Sequence, residues 1–442
     1  MVPLRHVVPT YVVGSGHGRR TQGVNRFGVR AGNGFARSSF FVDFYDLGAG
    51  VVNTTAGRGG VSPTFTRATT ATTVLSNGLI ASVATGVARS YYDPTTLEYL
   101  GYLAEGARTN VLTKSEEFDD AVWTTVTNVT VGANVAVAPD GTSTADSLTD
   151  DATNGAHRIL QAYTFAAAAH SLSCFFKRST HTWIQLVGND GTVTFAANFD
   201  LANGVVGQTI NSTSEIKEYP NGWYRCTAKI AAGAGGLGNI QIAMLSGDTG
   251  AAAPSYAGTG TTLYLWGIQL EAASFASSYI PTTTAAVTRN ADVLTYPTSP
   301  WLNAAAGTIY SESQVFNVTL AANKVPFSLS DNTVNESIRN DVVTATTTFV
   351  VTDGGVQQAV PNSIVVTANS TVKIASAYAA NDFAISANGG TVGTDASGTI
   401  PTVTQASIGL VGSASAFNFG PIRRVAYYAA RLPNATLQAL SA

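Results

Sequence analysis

Between residues 110 and 295 the chain alternates apolar and polar residues over short runs, and Asn or Asp beside glycine separates one run from the next. Leu172, Cys174 and Phe176, and again Ile184 and Leu186, fall on every second position, the period of a strand with one buried face. Asp140-Gly141, Asn189-Asp190-Gly191, Asn203-Gly204 and Asn221-Gly222 supply the positive-φ residues that tight hairpins require. Helical spacing is nearly absent. Several short strands at this pitch imply a β-sandwich or jelly roll.

At 442 residues the chain exceeds the roughly 250–300 at which a single core stops growing, so two or three domains are expected. Its apolar fraction of 45% suffices for real cores, whereas its charged fraction of 12% is about half the ~25% usual in soluble domains. That balance favours strands and turns over surface helices and predicts that partners cover much of the surface. A net charge of −3 supplies no global field to draw nucleic acid or an anionic membrane. The opening MVPLRHVVPTYVV is broken by Pro3 and Pro9, and no stretch approaches ~18 uninterrupted apolar residues, so neither export nor membrane insertion is expected. Cys174 and Cys226 fall on separate expected strands, as a buried, reduced pair.

The expected division is an extended arm (1–60), a connector (61–109) and two antiparallel β-sandwich (jelly-roll) domains (110–295 and 296–442), an all-β fold. Residues 1–42 hold six arginines, Arg5, Arg19, Arg20, Arg26, Arg30 and Arg37, many glycines and no acid. Such a segment builds no core of its own, and a neighbouring subunit is its expected holder, with the arginines pairing with carboxylates there. A nucleic-acid role is disfavoured because lysine density and interleaved aromatics are missing. TYPTSP, Thr295 to Pro300, reads as a linker, since two prolines suppress helix and interior strand alike. In the last domain hairpins are expected around Asp353-Gly354-Gly355 and Asn388-Gly389-Gly390, then a strand from Arg423 and a short helix capped by Asn434.

Two phrases bracket the middle domain. EGARTNVLTKSEEFDDAVW, Glu105 to Trp123, and LWGIQLEAASFASSYIPTT, Leu265 to Thr283, resemble a module of tailed-phage virion proteins, the head-spike or fibre domain. The lead-in Phe65 to Asp93, with Arg67 and Arg89-Ser-Tyr-Tyr-Asp93-Pro94, fits the same module. The resemblance implies a jelly roll like those that bind carbohydrate. The run from Val372, VKIASAYAANDFAISANGGTV, with Ile422-Arg-Arg-Val-Ala-Tyr-Tyr and the terminal LPNATLQAL, resembles the concanavalin A-like lectin or LamG-like jelly roll that ends many phage fibres.

Catalysis finds little support in the residues. Histidines are five, His6, His17, His157, His170 and His181, so the last domain has no imidazole for acid–base or nucleophilic chemistry. His157 and His181 read as ordinary partly buried residues or as sugar contacts. No HExxH occurs, and two distant cysteines make no zinc knuckle. Glu215 with Glu218, or Asp331 with Glu336, would have to converge to cleave a glycan, and each reads as a turn or strand-edge residue. Asp353 and Asn381-Asp382 are turn formers before they are calcium ligands. Ala232 to Gly238, AGAGGLG, lacks the Lys-Ser/Thr and following helix of a phosphate loop and reads as an inter-strand loop. No enzyme activity, cofactor or metal is expected.

Binding remains, through aromatic faces that stack on sugar rings beside amides and carboxylates that read hydroxyls. Trp266 is expected in the core, while Trp183 with His181, and Tyr378 with Asp382, are the expected exposed glycan contacts. The resemblance implies a virion-surface protein assembled in the host bacterial cytoplasm. Its docking residues would be Arg19, Arg20, Arg26, Arg30 and Arg37, held on capsid, portal or tail proteins. A trimer follows by fibre analogy. The outward sandwiches would adhere to host-surface polysaccharide. A ligand-free capsid decoration or collar protein, or a polysaccharide depolymerase, are the alternatives.

Overall fold

The computed structural model describes residues 34–44, 60–231, 233–316, 323–412 and 416–442. By its contacts the chain divides after Ala36. Of the preceding unit the described residues begin a 3-10 turn, Gly34–Arg37; the unit Arg37–Ala442 carries every described sheet. Strands are almost entirely antiparallel, and the fold is all-β, as the alternation required.

Two six-stranded sheets form the first sandwich. One runs, in spatial order, Ser212–Tyr219, Trp223–Ile230, His170–Arg178, Thr262–Glu271, Ala145–Asp150 and Val129–Ala136; the other runs Val205–Ile210, Thr194–Asp200, Trp183–Asn189, Gly236–Leu245, His157–Phe165 and Thr125–Thr127. Leu172, Cys174 and Phe176 meet Ile184, Leu186, Phe199 and Ile242 between the layers, all fully buried. Each Asx–Gly pair named above closes a hairpin, with Gly141, Gly191, Gly204 and Gly222 at φ 87°, 90°, 66° and 78°. At the last of these Asn221 also sits at φ 61°, within the three-residue loop Pro220-Asn221-Gly222 that joins the paired Tyr219 and Trp223. Cys174 and Cys226 are direct cross-strand partners, both buried and both free.

Phe175 points away from that core, since neighbours on a strand face opposite sides. It joins Trp223, Trp266, Tyr219 and Tyr279 in a second apolar cluster on the outer face of the first sheet, where Val74, Ile80 and Tyr92 cover them. This sheet is therefore buried on both faces. Hence His170–Arg178 reads as a continuous buried run rather than a clean alternation.

The second sandwich is gathered from distant parts of the chain. One sheet runs Gly393–Asp395, Asp382–Ala387, Thr371–Ala379, Ala306–Gln314, Gly420–Tyr428, Tyr99–Ala104 and Ser90–Tyr92, with Phe40–Asp43 also pairing on Gly420–Tyr428. The facing sheet runs Thr64–Thr66, Val293–Pro297, Gln405–Ile408, Lys324–Ser330, Ser337–Val343, Thr346–Asp353 and Val356–Ala359, with Asn362–Val365 beside Thr346–Asp353. Residues 61–109, read from the sequence as a connector, thus supply strands to both sheets, and Phe40–Asp43 comes from the stretch read as arm. The first sandwich sits inside the second in chain order, joined to it by a neck in which Arg108–Asn110 pairs with Val287–Arg289.

TYPTSP is not a linker. Leu294 and Tyr296 are core residues, and Val293–Pro297 lies between two strands. Pro297 closes the strand, where a missing N–H costs least, and Pro300 follows outside it. Both expected hairpins of this sandwich form, with Gly354 and Gly355 at φ 60° and 77° and Asn388 and Gly389 at 44° and 69°. The terminal helix Asn434–Ser441 begins at Asn434 itself, after Pro433, without a side-chain cap. It buries Leu437 and lies against Thr371–Ala379 and Asp382–Ala387.

Candidate functional site: the neck and the cleft between the sandwiches

Charged residues from the lead-in, the first phrase and the stretch after the second converge at the neck. Arg67 and Arg89 from the lead-in, Glu105 from the first phrase, and Arg289 and Asp292 just beyond the second are all buried. Arg67 meets Asp292 at 2.8 Å, Arg89 meets Glu105 at 2.9 Å and also Asp292, and Arg289 approaches Glu105 at 3.4 Å. Ser278 donates its backbone N–H to Glu105 at 2.9 Å and its hydroxyl at 2.6 Å. Burial alone would raise the Glu105 carboxyl, but Arg289 and Arg89 outweigh it and hold the pKa at about 2. Burial pulls Arg289 below the usual guanidinium range despite those carboxylates. A carboxylate so paired stays ionised at any physiological pH, so Glu105 is unsuited to give a proton as a general acid.

Polar residues of the two phrases knit the rest of the neck. Asn110 donates through Nδ2 to the carbonyls of Ile268 (3.1 Å) and Ile280 (3.0 Å), and its Oδ1 accepts from the backbone of Leu270 at 3.1 Å. The Ser115 hydroxyl lies 2.8 Å from that of Tyr279. Arg108 stacks its guanidinium between the rings of Phe275 and Phe419, 4.9 and 4.4 Å from their centroids, and so links the two sandwiches. None of the neck residues emerged from the sequence as a working group. The signal was present: in a chain with 12% charged residues, the first phrase alone holds seven, and Arg289 and Asp292 follow the second closely.

Beside the neck a cleft of about 260 Å³ lies between the sandwiches. Tyr91, Tyr219 and Phe316 wall it, and Thr227, Ser277 and Asn369 add polar groups. Its carboxylates already have cations: Asp93 meets Lys217 at 2.9 Å, Glu215 meets Lys229 at 2.6 Å, and Glu105 is held as above. Arg225 differs from these. Its Nη1 donates to the Ser277 carbonyl at 2.8 Å and its Nη2 to the Ser173 hydroxyl at 3.0 Å, with Phe175 5.5 Å away. Its Nε has no partner among the described residues, and no described carboxylate forms an ion pair with it.

The residues expected to contact glycan fall on different sandwiches. His181 is buried, its ring nitrogens meeting Thr261 Oγ1 at 2.8 Å and the Trp183 carbonyl at 2.9 Å; burial lowers its pKa. Trp183 is half-buried over Gly207, where an added Cβ would lie 2.8 Å from its ring. Tyr378, expected at the surface, is a core residue instead. It faces Gly307 across the strands and its hydroxyl lies 3.2 Å from that of Tyr427, so it presents no face to a ligand. The reason is the glycine, since a Cβ there would stand 2.6 Å from the Tyr378 hydroxyl. Asp382 is exposed and paired with Arg431 at 2.8 Å. Arg37 ends the 3-10 turn, exposed; Arg19, Arg20, Arg26 and Arg30 lie outside the described residues.

Glu215 and Glu218, three apart on one strand, face opposite sides. Asp331 Oδ1 accepts the Thr333 N–H at 2.8 Å and Glu336 Oε1 that of Gly354 at 2.7 Å, each satisfying a turn. Asp353 accepts the Thr399 hydroxyl. Among the described residues no three His, Cys, Asp or Glu side chains are placed to share a metal ion, and no helix is long and apolar enough to cross a membrane.

No protein-family model matches the sequence, and no curated protein matches it. Among solved structures, domains LG4-5 of the mouse laminin alpha1 chain are similar at 9% identity, over 64% of this chain and 93% of theirs, with a TM-score of 0.23. The LG1-3 region of the laminin alpha2 chain follows at 8% identity, 65% and 63% coverage, and a TM-score of 0.19. A Trypanosoma rangeli sialidase in complex with the inhibitor DANA is 7% identical over 88% and 67%, with a TM-score of 0.26. Scores this low carry no functional argument; the sandwich architecture rests on the sheets themselves.

Proposed function

We propose that the chain is a structural protein of a tailed-phage particle, a head spike, head fibre or tail fibre. Its basic N-terminal arm docks on capsid, portal or tail proteins, and its two sandwiches adhere to host-surface glycans. The supporting observation is the neck: Arg67, Arg89, Glu105 and Asp292 are buried in ion pairs where the first sandwich leaves the second, beside a cleft between the two sandwiches that could meet a ligand. Such a body suits display and adhesion. Weak single sites become useful through many copies on one particle, and a trimer would multiply them again.

Deleting residues 1–33, which leaves the core strand Phe40–Asp43 in place, tests the anchoring. The expected product is soluble and missing from purified particles; incorporation at the wild-type level would refute the arm as the dock. Glycan-array binding by the intact protein tests the adhesion. A blank array, with the protein still on the particle, would leave a decoration or collar protein, and release of reducing ends from purified capsule would make it a depolymerase.

A further inference from the structure

Among the described residues the cleft holds one cation, Arg225, that forms no ion pair. Asp93, Glu105 and Glu215 are each matched by Lys217, by Arg89 and Arg289, and by Lys229. Among the described residues Arg225 hydrogen-bonds neutral oxygens alone, those of Ser277, Ser173 and Tyr219. A half-buried guanidinium without an ion pair gains from an added counter-charge, and its planar fork fits a carboxylate in two-point contact. The strand carrying it is read easily: in Trp223–Ile230 Cys226 and Ala228 turn to the sandwich core, while Arg225 and Thr227 turn outward to the cleft. The groups around it suit a sugar. Tyr91 and Phe316, with ring centroids 5.7 Å apart and edge-on, are half-buried aromatic walls, and Thr227 and Asn369 offer hydroxyl and amide. At about 260 Å³ the space is just under the lower end of ordinary ligand pockets, roughly 300 Å³, and takes one sugar unit rather than a chain.

We propose that this cleft binds the carboxylate-bearing sugar unit of an acidic host-surface glycan, with Arg225 as the residue that recognises the carboxylate. The assignment rests on the adhesin reading and narrows it to a substrate class. Acidic units then bind more tightly than neutral ones of the same shape, and added salt weakens the preference.

The test titrates the full chain calorimetrically with a glucuronic acid tetramer, the matched glucose tetramer, glucuronate and glucose 6-phosphate, at low and high salt. The acidic tetramer should bind about tenfold more tightly than the neutral one, a preference that Arg225→Gln abolishes. Arg225→Lys should keep part of it, and this variant serves if Arg225→Gln does not fold, as judged by its melting temperature and near-UV spectrum. If both tetramers bind alike, or Arg225→Gln leaves the preference intact, the cleft assignment falls while adhesion stands. Tighter binding of glucose 6-phosphate than of glucuronate overturns the carboxylate class. If no glycan binds, on the array or in solution, the adhesin reading itself fails and takes this one with it.

Discussion

The two sandwiches use the same architecture and assemble it in opposite ways. All twelve strands of the first lie between Thr125 and Glu271, many joined by tight hairpins. The second draws on Phe40–Asp43, Thr64–Thr66, Ser90–Tyr92 and Tyr99–Ala104 as well as on everything after Val293. Its core depends on contacts across hundreds of residues, such as Phe40 stacked on Trp301 with centroids 4.5 Å apart. A sheet closed by such distant partners forms late, because loop closure must precede the contacts that reward it. The first sandwich can be completed from its own neighbours; the second waits for both ends of the chain.

Excision should expose that contrast most strongly. A fragment of residues 110–286 keeps both six-stranded sheets and is expected to fold, giving dispersed amide resonances and a cooperative melt. A fragment of residues 296–442 loses Leu294, Tyr102 and Phe40 from its core and should aggregate or stay unfolded. A well-folded 296–442 fragment would break the comparison.

The neck comes next. Asp292→Ala removes a carboxylate that meets both Arg67 and Arg89 and leaves them buried without it, a loss of about 3–5 kcal/mol. Urea unfolding should show the loss mainly in the transition of the second sandwich. An equal shift in the isolated 110–286 fragment is impossible on this account, since the fragment lacks all three residues.

Acid titration sharpens the same point. The folded-state pKa of Glu105, about 2, lies below its ordinary 4.5. Its contribution is therefore fully present above about pH 4.5 and is lost as pH falls through about 2, on the order of 3 kcal/mol in all. Stability measured in urea across that window should fall in the intact chain and flatten at its acid end in Glu105→Gln. An unchanged pH profile in the variant would remove Glu105 as the cause.

The smallest effect belongs to Asp382. Its pair with Arg431 is solvent-exposed, and Asp382→Ala should cost about 0–1 kcal/mol. A larger loss in the melting temperature would mean that the helix Asn434–Ser441 depends on that corner.

What the sequence showed follows the same division. The first sandwich was legible because Asn or Asp beside glycine marks four of its hairpins and alternation marks strands such as the one with Ile184 and Leu186. The second was legible in its hairpins at Gly354 and Gly389 and opaque at its edges. Thr64–Thr66 and Ser90–Tyr92 are three residues each, too short for any period to show, and TYPTSP hid a strand because its first proline falls on the last position. Tyr378 was misplaced since the residue that makes room for it, Gly307, is some seventy positions away and only the register brings them together. At the neck the phrases were recognised as signatures, but nothing local tells a signature from an ion pair whose partner lies far along the chain. Arg225 was passed over for the same reason: its distinction is the carboxylate it lacks, and that is visible only in space.

The ribbon of Arg108–Asn110 against Val287–Arg289 has one more meaning. It is the sole crossing through which the first sandwich enters and leaves its host, with two backbones running side by side about 5 Å apart. A module with closely spaced ends can be exchanged at such a doorway without redrawing the sheets on the other side. The second sandwich is then a socket, and the first a cartridge plugged into it through one two-stranded ribbon.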